Sequence, residues 1–599
     1  MTKKKKVPVN YTSRDFDSIR KDLIDYARRY YPDTFKDFSE ASFGSLMIDT
    51  VSYVGDILSF YLDYQVNESF LDTSIEYNNI VRQGKQVGYK FRGASSAFGT
   101  CAFFVKVPAN SVGLGPDETY VPILKKGTVV SSTANATFIL TEDIDFNDAR
   151  NTIVVAATNT TTGLPTSYAI RCFGTVASGE MGTETISIGA FERFKKIRLS
   201  SPDIVEVLSV TDSEGHNYYE VDYLSQDVVY KNVVNRAASS ANEPAAILKP
   251  FAVPRRFVIE RTRTATHLQF GYGSDSEMNK SSVVDPTDVV LQQNGRTYIS
   301  DESFDPSKLL DSDKFGVAPS NTTLRVTYRR NSVRKTNATA GSITNVGRFT
   351  LEYKDPTILT AANKKIVDSS LEVTNLTPIV GNVANPSKEE LRQIIGGVHA
   401  SQNRAVTEQD YKSLVYSMPP QFGGIRRCSI HRDSDSFRRN LNMYVISEDN
   451  SGYLVPTNST IKSNLKTWLT SNKMINDTID ILEAKVINIQ ISFDAVAEAG
   501  VDKFDALNSG VTRLQEAYKL KQDIGEPFSI AQIYSILNKT VGISDVTNVR
   551  VTNKFGGAYS NIGYDIREST TPDGRYINVP KNVILEIKYP NADIKGTIK

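Results

Sequence analysis

The chain has 599 residues, long enough for several buried cores without disulfide or metal staples. Lys plus Arg total 69 against 68 for Asp plus Glu, and this near-balance argues against nucleic acid as the partner, because phosphate neutralisation calls for a basic excess. No stretch reaches the roughly 18 apolar residues of a membrane span, so no membrane insertion is expected, and the basic start at Lys3–Lys6 lacks the apolar run of a secretory signal.

Residues 10–95 read as helical. Thr12 is expected to cap a first helix, with Asp15 at the reciprocal capping-box position, and Phe16, Ile19, Leu23, Ala27 and Tyr30 recur at helical spacing before Pro32. A second helix over about 42–66 carries Phe43, Met47, Val51, Val54, Leu58, Tyr61 and Leu62 on one face and Ile48, Ile57 and Phe60 elsewhere. A helix apolar nearly all round should be surrounded by other helices, so these helices are expected to join a bundle shared with other chains. The competing expectation is a closed helical hairpin packed on the chain's own β domain. A third helix is expected from Thr73, where T-S-I-E repeats the capping-box pattern up to Glu76.

From 97 to 385 the pattern changes to short strands between Gly, Asn, Asp and Ser turns, among them CAFFVKV (101–107), TIVVAAT (152–158), YAIRCFGTV (168–176) and LRVTYRR (324–330). From 386 onward helices and strands alternate. Ser387 with Glu390 and Thr407 with Asp410 open two helices, the second carrying Tyr411 and Leu414. Later helices are expected at 459–472, 505–521 and 529–540, the last with Ile533 and Leu537. Strands are expected between them at 425–431, 441–447, 479–497 and 545–552. The fold class that follows is α+β multidomain: an N-terminal helical bundle segment (1–95), β-rich middle domains (96–255 and 256–385) and C-terminal α+β domains (386–500 and 501–599).

Reaction chemistry finds little to stand on. His216, His267, His399 and His431 form no HxH, HxxxH or HExxH pair, and Cys101, Cys172 and Cys428 form no metal-ligand spacing, so no metal and no cofactor is expected. There is no GxSxG elbow and no phosphate-binding glycine loop. HRDSDSFRRN at 431–440 lacks the asparagine of a kinase catalytic loop, where Arg438 stands, and DSDKFG at 311–316 lacks the ligands of a calcium loop. Carboxylate pairs for glycoside hydrolysis are set in space and leave no mark in sequence. A basic cluster at Arg325, Arg329, Arg330, Arg334 and Lys335 reads as a solvated surface, with an acidic partner as the alternative.

Four stretches resemble, in order, the baseplate J-like family. They are NYTSRDFDSIRKDLIDYARRYYPD followed by GSLMIDTVSYVGDILSFYLDYQVNESFLDTS at the start, and LQFGYGSDSE at 268–277, where Tyr272 replaces an acidic residue. NPSKEELRQIIGG with NRAVTEQDYKSLVYSMP at 385–419 is the most specific, and GEPFSIAQIYSILNKTVGISDV lies at 525–546. Contractile-phage members of that family include the wedge protein called gene product six in T-even-type phages. The resemblance implies a structural, non-enzymatic subunit of a tail baseplate wedge, made and assembled in the host cytoplasm and carried in the virion. It implies pairing with other copies of itself through C-terminal parts, and with other wedge proteins through the N-terminal helices; hub and sheath-initiating proteins are further expected partners. The residues expected at such interfaces are Phe16, Ile19, Leu23, Tyr30, Val51, Val54, Leu58, Tyr61, Tyr411, Leu414, Ile533 and Leu537. The alternatives are a tail-fibre or adhesin-type receptor-binding protein and an envelope hydrolase.

Overall fold

The computed structural model describes residues 14–599 except 35, 38, 40, 41, 94, 111–113, 202, 235–245, 274–314, 332–335, 434–439, 520 and 521, and, for side chains, 232–234 and 246. Thr12, Arg334, Lys335 and most of the 311–316 and 431–440 motifs therefore lie outside the described residues. The chain has the α+β multidomain architecture expected, with helices first, sheets in the middle and mixed layers at the end. It divides into two compact units, residues 1–89 with 386–396, and residues 90–385 with 397–599.

The first unit is built on three helices: α1 (Phe16–Tyr30), α2 (Phe43–Glu68) and α3 (Tyr77–Gln86). Asp15 itself stands at the N-cap of α1, accepting the Ser18 amide at 3.1 Å. Ser42 caps α2 in the same way. The two helices run antiparallel: Arg14 pairs with Asp63 and Arg20 with Asp49, and Ile19 rests on Gly55, where an added Cβ would lie 3.1 Å from its Cδ1. Residues 386–396 close this unit. The Arg392 guanidinium donates to the carbonyls of Leu71 and Ser74, and Ile395 packs against Gly84 so closely that an added Cβ would sit 2.8 Å from its Cδ1.

The second unit begins at Lys90, not at 96. Its first sheet runs in the order 343–346, 129–132, 137–140, 165–178, 98–108, 372–374. Asn375 draws the two ends of that order together: its side chain accepts the Ile343 amide at 3.0 Å and donates to Thr339, and its carbonyl accepts the Gly341 amide. Phe103, Phe138, Phe146, Leu124, Leu140 and Ile343 fill the enclosed core.

A second seven-stranded sheet, ordered 180–188, 322–330, 204–211, 217–220, 256–261, 266–270, 196–198, is inserted in sequence between strands of the first. The border expected at 255/256 falls inside this one sheet, because Tyr219 pairs with Arg256. The border expected at 500/501 likewise separates Lys485–Ala497 from its ladder partners Ile543–Lys554, Val583–Glu586 and Ile594–Ile598. Short-range patterning marks strands but not which strands share hydrogen bonds, hence the misplacement.

In the C-terminal layers, Thr407 and Asp410 form the expected capping box, and Ser387 and Glu390 exchange the same pair of bonds. The expected strand at 479–497 is two strands. Thr478–Glu483 runs parallel to Asn440–Glu448 in one sheet, and after Ala484 the chain crosses to another. Tyr411 and Leu414 are each 2% exposed within the core of the first of these layers, and Ile533 and Leu537 are 0% exposed in the core of the second. Helical apolar spacing put all four at a partner interface; the side chains that cover them belong to this chain. Truncating Leu537 or Ile533 to Ala is therefore expected to destabilise the isolated chain by about 2–5 kcal/mol, measured by chemical denaturation.

Candidate functional site

The side of α2 that meets α1 is small and polar. Ser45 and Ser52 are 3% and 0% exposed, and Gly55 receives Ile19. The large apolar residues point elsewhere: Phe43, Leu46, Met47, Val51, Tyr53, Val54, Leu58, Phe60, Tyr61, Leu62 and Val66 are between 46% and 76% exposed. All seven residues of the apolar face read from sequence are in that set. Phe16, Ile19, Leu23 and Tyr30, expected at the same interface, are half-buried on α1. A contiguous exposed apolar surface of this extent marks an interaction site. Among the described residues no helix is long and apolar enough to cross a membrane, and α2 carries Asp49, Asp56, Asp63 and Glu68 along its length.

Glu68 fixes the end of that surface. It is 6% exposed, and its carboxylate accepts from Asn79 Nδ2 at 2.9 Å, Ser74 Oγ at 2.9 Å, and the amides of Ile75 at 2.6 Å and Glu76 at 3.2 Å. It thereby caps α3 from the preceding helix, so α3 starts at Tyr77 and not at Thr73, whose hydroxyl donates to the Asn67 carbonyl instead. Donation from Asn79, then from Ile75, Ser74 and Glu76, outweighs burial and holds the Glu68 carboxyl down at about 2. The folded value lies below the ordinary 4.5, so this contribution is complete above about 4.5 and is lost as pH falls toward 2. Glu68→Gln, which removes the charge, is expected to lower the melting temperature at pH 7 and to narrow its gap from wild type as pH falls from 4.5 toward 2.

A second cluster has the outline of a catalytic arrangement. Ser429 Oγ lies 2.7 Å from His431 Nε2, and His431 Nδ1 lies 3.4 Å from Glu408 Oε1. The order nucleophile, base, orienting carboxylate is the one hydrolases use. Yet Ser429 is 2% exposed, so the hydroxyl lacks access to a substrate. Burial, with Lys581 and Lys412 nearby, pulls the His431 pKa down. The bonds instead tie the first turn of the helix Glu408–Tyr416 to the strand Arg427–Arg432. Sequence reading passed over this cluster; His431 two residues after Ser429 on one strand face was its signal. A serine-directed fluorophosphonate is expected to leave the chain unlabelled, and labelling abolished by Ser429→Ala would reverse that assignment.

Other candidates resolve into internal contacts. Arg329, from the basic cluster, is 6% exposed and bound to Glu206, Ser96 and the Ser178 carbonyl, while Arg330 pairs with Glu180. His216 holds its own turn, with Nδ1 3.1 Å from Asp212. Among the described residues no group of three or more His, Cys, Asp or Glu is placed to hold a metal ion.

Residues 15–86 match the family described as bacteriophage baseplate protein, N-terminal domain. The matched stretch runs from the cap of α1 to the end of α3. This supports a structural role in a phage baseplate. Among solved structures, the chain is similar to one in the cryo-EM structure of the anti-feeding prophage baseplate, 6-fold symmetrised. The identity is 9% over 98% of this chain and 99% of that one, with a TM-score of 0.27, and a likeness at that score carries no argument. Comparison with curated proteins finds no match.

Proposed function

We propose that the chain is a wedge subunit of a contractile-tail baseplate, of the baseplate J-like kind, which links wedges into a ring around the hub and relays conformational change to the sheath. The observation that carries this reading is the outward apolar surface of α2 inside the stretch matching a baseplate N-terminal domain. Covering such half-exposed side chains contributes roughly 1 kcal/mol or more each, enough in sum to hold a partner helix or two. The partners are other wedge proteins at the N-terminal helices and other copies of the chain, with hub and sheath-initiating proteins adjoining. The role is structural and not enzymatic, and assembly takes place in the host cytoplasm before the virion carries the product.

Val54→Lys with Leu58→Lys tests the surface without disturbing a core, since both positions already face water and Lys suits a helix. The doubly substituted chain is expected to stay folded and soluble and to fail to enter baseplates. Gold-labelled antibody against residues 397–599 should mark wild-type particles at the tail end distal to the capsid. Normal incorporation of the variant, or label along fibres, would overturn the proposal.

A further inference from the structure

The strand Thr152–Thr158 leaves the first sheet as a spur. The strand Pro165–Ser178 pairs along one side with Phe98–Pro108. On its other side it takes Thr137–Leu140 at its last residues and Thr152–Thr158 at its first. Thr152–Thr158 pairs with that strand alone among the described strands, which leave its outer edge open. Ile153, Val154 and Val155 are 47%, 55% and 49% exposed although they project to both faces of the sheet.

Natural sheet edges are usually blunted by Lys, Pro or an inward charge. This one carries neither charge nor proline from 152 to 158, and the nearest charges before it, Asp148 and Arg150, pair with each other. Its pairing with Pro165–Ser178 shifts register twice, at Ala156 and between Ala157 and Thr158.

We propose that this edge pairs antiparallel with the same strand of a second copy of the chain, about a two-fold axis at Val155. The sequence T-I-V-V-A-A-T is complementary to its own reverse. Thr152 would face Thr158, Ile153 would face Ala157, and Val154 would face Ala156, with Val155 opposite itself. Large side chains then meet small ones, threonines meet threonines, and no like charges oppose. An uncharged edge offers nothing to select an oppositely charged partner, whereas a self-complementary one selects itself. The two-fold makes the contact isologous and closed, so it ends at a dimer rather than a fibre. The ladder spans about 23 Å at the usual rise per residue and is small for a stable interface. It works where other contacts already hold copies side by side. This pairing is independent of α2.

Residues facing each other across an antiparallel ladder have Cα atoms about 4.5–5.5 Å apart, within disulfide reach. The native thiols do not compete: Cys101, Cys172 and Cys428 are buried, and burial pushes Cys101 and Cys428 up to about 12. The full chain carrying Val155→Cys is oxidised mildly at high concentration and in assembled particles, and dimer is read on a non-reducing gel. Val155→Cys is expected to give several-fold more dimer than Thr152→Cys, whose copies would lie about 20 Å apart. Mixing Thr152→Cys with Thr158→Cys chains should restore the dimer, and adding Val154→Lys to Val155→Cys should suppress it. Circular dichroism confirms that each variant is folded. Absent Val155→Cys dimer in folded chain, equal yields at Val155 and Thr152, or a cross-link to a different protein would each overturn the proposal.

Discussion

The second unit depends on one buried polar junction. The chain leaves its first sheet at Ser178 and returns to it after Arg330, having built an entire second sheet between. At that crossing Arg329 donates to Ser96 Oγ and to the Ser178 carbonyl while facing Glu206, and Asn331 donates to the Ser95 carbonyl and accepts from Ser178 Oγ. Ser95, Ser96, Ser178, Arg329 and Asn331 are all buried. An arginine in such a place is tolerated only with its donors used, and here a single fork spans three segments far apart in sequence. Removing the guanidinium would take a donor from the buried Ser178 carbonyl and Ser96 hydroxyl, which costs more than the bonds gain, and would leave the partly exposed Glu206 without its ion pair. That asymmetry makes the crossing specific.

The first unit is held differently. α2 is tied to α1 by ion pairs and by small side chains, and to α3 by the Glu68 carboxylate. Partly exposed ion pairs contribute little, so the local order of this unit rests on capping, on Ile19 against Gly55, and on Arg392 against the 71–74 turn. The exposed large apolar residues of α2 lie outside these contacts, while Ile48 and Ile57 are half-buried.

Sequence gave the classes of element and several caps correctly, because those signals are local. Thr407 with Asp410, Ser387 with Glu390 and the extent of α2 are fixed by residues three or four apart. Asp15 and Glu68 show the limit: one acid stands just before a helix and the other ends one, and which amides each takes depends on the path of the turn. Sheet membership was out of reach because the partner of a strand can lie more than 200 residues away, as Thr374 does from Ala102 and Ile343 from Ser132 in the first sheet. The residues expected at interfaces differ in exposure for a related reason. Helical periodicity states that a face is apolar, not whose side chains cover it. For Val51, Val54, Leu58 and Tyr61 the helix was apolar on more faces than the described residues cover. For Tyr411, Leu414, Ile533 and Leu537 the stripe was narrow, as expected of an ordinary core helix.

Stability and association thus draw on separate sets of side chains. The cores around Phe103, Leu465 and Phe493 are closed within the chain and do not need a neighbour. The exposed face of α2 is positioned by bonds it does not itself make, so a neighbouring helix could leave or be replaced without removing what holds α2 against α1. The anchorage of that surface is therefore independent of any occupant. A helix stabilised through its apolar face would have to unfold in part to let go. The small residues of α2 matter for the same reason: by giving Ser45, Ser52 and Gly55 to α1, the helix leaves most of its large side chains exposed.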